Sequence, residues 1–150
     1  MPAIYIDADA CPVKEETYRV AKRYAMKVIV VANATLWIPD DPLVELVVRT
    51  GFGAADDWIA EQCQANDIVI TADIPLAARV LARNARALSM KGNILTDNDI
   101  GAALGMRDLM EHLRQSGETT RGPSAMTKPD RSRFLAKLDE LVNAVLRAST

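Results

Sequence analysis

The chain is poor in the residues that usually announce a specialised protein. Aromatics make up 5% of its 150 residues, so any core must be built from Val, Ile, Leu and Ala. There are two cysteines, Cys11 and Cys63, too few for a disulfide scaffold and the pattern of a reducing compartment. There is one histidine, His112, far from either cysteine in sequence. That scarcity argues against a zinc site and against a Cys/His catalytic pair. No apolar run reaches the roughly 20 residues needed to span a bilayer, and the N-terminus has no basic stretch leading into an apolar one. The expected setting is therefore the cytoplasm, with no membrane partner.

Charge of one sign is also missing. The formal net charge is −2, with charged residues at 25% and hydrophobic ones at 49%, the balance of an ordinary globular protein. The distribution is mildly uneven. Residues 1–106 hold 10 Lys/Arg and 14 Asp/Glu, a net of −4, whereas residues 107–150 hold 8 and 6, a net of +2. A solvated helical surface is the simplest reading of that basic end. The length suits one domain spanning residues 1–150.

What is present is a regular alternation. Residues 3–6 form a short apolar run ending in acid. Pro12 suits a first helical turn, and Val13, Thr17, Val20, Ala21 and Tyr24 recur at helical spacing, which predicts a helix over 12–26. Residues 27–32 (Lys-Val-Ile-Val-Val-Ala) and 44–48 read as buried strands, 56–64 as a helix, 67–71 as a strand and 75–84 as a helix. Residues 86–96 fit either a short strand near 87–89 or an irregular segment. A helix is predicted over 99–115 and a Gly/Pro/Ser/Thr-rich loop over 117–129. A last helix over 130–147 follows, opened by a capping-box-like Thr127 and Asp130 and packing back on the domain. Unbroken apolar strands between helices indicate an α/β fold of three layers, a mostly parallel sheet with helices on both faces.

In such sheets, sites form at the carboxyl ends of the strands. The first strand ends in Asp7-Ala8-Asp9, the fourth in Thr71-Ala72-Asp73, and the third leads through Gly51 and Gly53 into Asp56-Asp57. Four carboxylates, Asp7, Asp9, Asp56 and Asp73, are thus expected at one edge. Unpaired acids held together repel and raise one another's pKa, and a hard divalent cation, Mg²⁺ or Mn²⁺, relieves that repulsion. Each alone has a plainer role: a turn former, a helix cap, or, for Asp9, a helix-start residue. Asp56 shares a helical face with Ile59, Ala60 and Cys63, while Asp57 is turned about 100° away. Asp97 and Asp99 read as turn and cap residues. Asn33 and Thr71 are placed to orient a carboxylate, and Lys14 to meet a phosphate. Cys11 sits near a helix start, where thiolates are favoured. Arg107, Arg114, Arg121, Lys128 and Arg131 are candidate phosphate contacts, each of which is also an ordinary surface charge.

The motifs Asp7-Ala8-Asp9-Ala10-Cys11-Pro12, Val31-Ala32-Asn33, Ala55-Asp56 and Ile70-Thr71-Ala72-Asp73-Ile74-Pro75-Leu76-Ala77-Ala78 resemble the bacterial YaiI/YqxD family. The similarity continues through Met106-Arg107-Asp108, Leu113-Arg114, Gly122-Pro123 and Asp130-Arg131. That family in turn resembles the PIN-like and 5′-nuclease group, in which acids at strand ends bind divalent metal and hydrolyse phosphodiesters. The resemblance implies a PIN-like domain, a metal held by Asp7, Asp56 and Asp73, and RNA or DNA as partner. One departure stands out, because family members often carry an acid where this chain has Gly53. Two other readings remain. One is a non-catalytic module that binds nucleic acid or a nucleotide. The other is a phosphatase, since Asp7-x-Asp9 also resembles the haloacid-dehalogenase type, although those proteins place a flap where Pro12 here begins a helix. Oligomeric state is not legible in the sequence.

Overall fold

The β-branched runs form the strands of a single sheet in the computed structural model, which describes residues 1–101 and 126–149. The strands are β1 (Ala3–Asp7), β2 (Lys27–Ala32), β3 (Val44–Val48), β4 (Ile68–Ile70), β5 (Arg86–Leu88) and β6 (Ile94–Leu95). The helices are α1 (Lys14–Tyr24), α2 (Ala54–Gln62), α3 (Ile74–Leu81) and α4 (Lys128–Ala148). Residues 97–101 are helical as well.

The sheet order is β3-β2-β1-β4-β5-β6, parallel throughout except for β6, which pairs antiparallel with β5. The chain winds outward from β1 to β3, then crosses back to lay β4 on the other side of β1. The reversal leaves a crevice between the carboxyl ends of β1 and β4, the place where open α/β sheets build their sites.

Side chains alternate across the sheet as the strand period requires. Ile4, Ile6, Val28, Val30, Ile68 and Ile70 face one layer, formed by α1 and α4. Tyr5, Ile29, Val31, Val69 and Ala87 face the other, formed by α2 and α3. The expected three-layer α/β fold with helices on both faces is what the chain adopts. Phe134, Leu138, Leu141, Val142 and Val145 bury the apolar stripe of α4 against the first layer. Arg23 and Tyr24 on α1 both bond the carboxylate of Asp139 on α4.

Several boundaries shift. Pro12 lies in a turn before α1 rather than in its first turn, because Cys11 N–H first closes a turn on Ala8 O at 3.2 Å. The last helix begins at Lys128, two residues early. Thr127 caps it, and Thr127 and Asp130 exchange the reciprocal bonds of a capping box. The ambiguous segment 86–96 resolves into β5, a turn at Gly92, and β6. Helix begins at residue 97, where Thr96 and Asp99 cap each other. The predicted helix beyond 101 and most of the 117–129 loop lie outside the described residues, as do Arg107, Arg114 and Arg121.

Candidate metal centre

Parallel register delivers the first two acids together. Ile6 pairs with Ile70, so the next residues, Asp7 and Thr71, lie side by side at the mouth of the crevice. The Thr71 hydroxyl donates to Asp7 Oδ2 at 2.7 Å and accepts the Asp73 backbone N–H at 2.9 Å. Asp73 then caps α3, its Oδ1 accepting Leu76 N–H at 2.9 Å. Capping occupies one oxygen of Asp73, and the residue still lines the pocket.

Asp9 sits in the turn between β1 and α1. Ala10, at the third position of that turn, has a φ of 60°, a left-handed conformation uncommon for alanine and costing about 1 kcal/mol. The turn aims Asp9 across to β2, where the Asn33 side-chain amide donates to Oδ2 at 3.1 Å and the Asn33 N–H reaches Oδ1 at 3.4 Å. Asp9 is therefore not a helix-start residue: α1 has no side-chain cap, and its N-cap position is Val13.

Asp56 enters from the first turn of α2, while its neighbour Asp57 points to solvent and pairs with Arg79 at 2.7 Å. Asp7, Asp9, Asn33, Gly53, Ala55, Asp56 and Asp73 together line one open hollow of about 210 Å³. No Lys or Arg is among these lining residues. The pKa of the Asp7 carboxyl is pushed up to about 6. Burial is the largest cause, opposed by the Thr71 hydrogen bond and assisted by the charges of Asp56, Asp73 and Asp9. Asp56 is raised too, by burial and then by Asp73.

The donor set suits a hard cation: carboxylate oxygens, one amide, and room for water. Among the described residues no group of three Asp, Glu, His or Cys side chains is arranged to hold a metal ion. An ion in this hollow would meet one or two carboxylates directly and keep part of its hydration, as Mg²⁺ does.

Other expected residues do not line this hollow. Lys14 begins α1 and does not line the hollow. Arg131 lines a neighbouring groove together with Asp7, Asp9 and Asp73, and there it donates to Pro12 O at 2.7 Å and pairs with Glu16 at 3.1 Å, tying α4 to α1. Lys128 is exposed at the start of α4. Cys11 is buried and its thiol is pushed up to about 11, mainly by burial, the reverse of the activation its position near a helix start suggested. Asp67 is the acid at the wrong end: it is buried at the amino edge of the sheet and accepts from Ala3 and Gln64 N–H.

Sequence reasoning missed a second hollow. A groove of about 980 Å³ adjoins the first and shares Asp7, Asp9 and Asp73 with it. Its far wall comes from Ser89, Met90, Lys91, Asn93 and Leu95, residues of the segment whose periodicity is ambiguous. Only the Ser-Met-Lys-Gly-Asn turn between two short apolar pairs could have signalled it.

The family model of the uncharacterized BCR, YaiI/YqxD family, matches residues 5–144. The chain belongs to that family. Curated relatives agree over nearly their whole length. A UPF0178 protein from Gluconacetobacter diazotrophicus is 55% identical over 143 residues, covering 95% of this chain and 93% of its own. One from Rhodospirillum centenum is 53% identical over 149 residues, covering 96% and 97%. One from Caulobacter vibrioides is 49% identical over 147 residues, covering 97% and 96%. No solved structure matches the chain. Among the described residues, no helix of this YaiI/YqxD protein is long and apolar enough to cross a membrane.

Proposed function

We propose that this YaiI/YqxD protein is a PIN-like, divalent-metal-dependent phosphodiesterase acting on RNA or DNA. The observation that carries the reading is the gathering of Asp7, Asp9, Asp56 and Asp73 around one hollow at the sheet's reversal point, with no basic residue among those lining it. Carboxylates with raised pKa values gathered in a cleft mark a candidate functional site. The β3-β2-β1-β4 order also serves dinucleotide-binding proteins, but there a glycine-rich turn after β1 receives the pyrophosphate. Here Asp7-Ala8-Asp9 stands in that place and would repel it.

Asp7, Asp56 and Asp73 would hold Mg²⁺ or Mn²⁺, one or two of them directly and the rest through water, and the ion would supply charge neutralisation at the phosphate and acidify a water in the hollow. Thr71 keeps Asp7 and Asp73 in fixed relation, so the ligand oxygens are preorganised. Asp9, held by Asn33, would take a proton from the attacking water as the phosphorus–oxygen bond to the leaving strand breaks, and the released oxygen would take its proton from solvent water.

Gly53 on the rim of the hollow favours one second reading, a module that binds nucleic acid without cutting it. The test is cleavage of end-labelled single-stranded and structured RNA and DNA with Mn²⁺ or Mg²⁺. Cutting by the unaltered protein and none by Asp7→Asn supports the hydrolase. Cutting unaffected by that substitution sinks it, and tight binding without cutting transfers the case to the binding module.

A further inference from the structure

A hollow walled by four carboxylates repels a phosphodiester chain, so the attraction that brings such a chain to it must come from another surface. The beginning of α4 supplies one. Arg133 and Lys137, four residues apart on one helical face, line a hollow of about 430 Å³ together with Asn93 and Leu95. Asn93 and Leu95 also line the groove that reaches Asp7, Asp9 and Asp73. The two hollows therefore adjoin, and Lys91 also lines the groove.

This arrangement is built in. Gly92 has a φ of 86°, and a Cβ there would sit 2.6 Å from Phe134 N and 2.7 Å from the Arg133 carbonyl carbon. The turn after β5 can press onto α4 only with glycine at this position. Its closeness puts Lys91 beside Arg133, whose guanidinium reaches the Lys91 carbonyl at 3.4 Å. The acids nearby do not close the path. Asp99, which lines the smaller hollow, accepts from the Thr96 N–H and hydroxyl. Arg133–Asp130 at 3.4 Å and Lys137–Glu140 at 3.2 Å are ion pairs with exposed cations, weak enough to yield to a phosphate.

We propose that Lys91, Arg133 and Lys137 form a track along which the backbone of a nucleic-acid strand runs away from the acid hollow. The track deepens the phosphodiesterase reading by naming where the substrate's neighbouring phosphates lie, and it rests on that reading only for the strand's direction.

The test separates the two. Binding of a short labelled single-stranded oligonucleotide is measured by fluorescence anisotropy on the Asp7→Asn protein, which leaves the strand intact, across a salt series. Adding Arg133→Gln and Lys137→Gln is expected to weaken binding at least tenfold and to lower the salt slope by about 0.7 for each phosphate no longer held. Arg19→Gln with Lys22→Gln, two cations on α1, serves as the control and should leave both quantities unchanged. Equal affinity after the α4 changes, an equal loss from the α1 pair, or no binding by the Asp7→Asn protein at low salt each overturns the track. Circular dichroism on every variant guards against misfolding. Binding along the track without cleavage by the unaltered protein would count against hydrolysis while leaving the track standing.

Discussion

The Thr71 hydroxyl bonds the Asp7 carboxylate at 2.7 Å across two strands that the sheet order places side by side. The same oxygen accepts the Asp73 N–H, so one buried threonine holds two of the four acids. Thr71→Val keeps the shape and removes the hydroxyl. It leaves the Asp73 N–H without its acceptor and Asp7 without its donor. Denaturant melts should show a loss of about 1–3 kcal/mol. Mn²⁺ affinity should fall as well, and Thr71→Ser should restore most of both. Unchanged affinity in the valine variant would remove Thr71 from the site's support.

The raised pKa of Asp7 has a cost in stability whose sign is fixed. The folded protein holds the Asp7 proton up to about pH 6, whereas the unfolded chain releases it near the ordinary value of 3.8. Between those values the folded state binds more protons, so stability falls as pH rises and the full cost stands above pH 6. Asp7→Asn removes that cost while keeping an oxygen for Thr71. The metal-free variant should be more stable than its parent at pH 7.5 by about 1 kcal/mol, a figure reduced for partial solvation of the carboxylate. Thermal melts should show the gain shrinking to nothing near pH 4. A destabilised variant at pH 7.5 contradicts the electrostatic account.

Metal binding should follow the same proton. An ion at Asp7 competes with protonation, so Mn²⁺ affinity should level off above pH 6. Below pH 6 it should fall by about tenfold per pH unit. Isothermal titration at several pH values reads this directly. A flat profile between pH 5 and pH 7 places the ion away from Asp7.

Much of this site was legible as residue types at strand ends. Asp7, Asp9, Asp56 and Asp73 follow from where apolar runs stop, and Asn33 and Thr71 from their place beside them. What sequence could not give were choices made by the third dimension. Arg131 reads as a free cation until α4 is laid on α1, where the Pro12 carbonyl and Glu16 claim it. Cys11 reads as activated until burial outweighs its place near a helix. Residues 86–96 contain two strands of three and two residues, too short for periodicity to declare, and their turn is fixed by the tight approach of Gly92 to α4.

Gly53 allows a gain-of-function experiment. It has a φ of 70°, lines the acid hollow, and a Cβ built on it meets nothing within 4 Å. Aspartate tolerates the left-handed region better than most residues. Gly53→Asp should therefore fold with a loss of about 1 kcal/mol and add a fifth carboxylate to the rim. Mn²⁺ affinity is expected to rise severalfold, while Gly53→Ala should show the strain without the gain. No rise in the aspartate variant means that the rim lies out of reach of the ion.

The central claim is that the acids at the reversal point bind a divalent cation. A crystal soaked in millimolar Mn²⁺ and measured at a wavelength where manganese scatters anomalously tests it most directly. The expected result is an anomalous peak between Asp7 and Asp73 within reach of Asp56. A well-ordered hollow with no peak there at millimolar Mn²⁺ contradicts the claim.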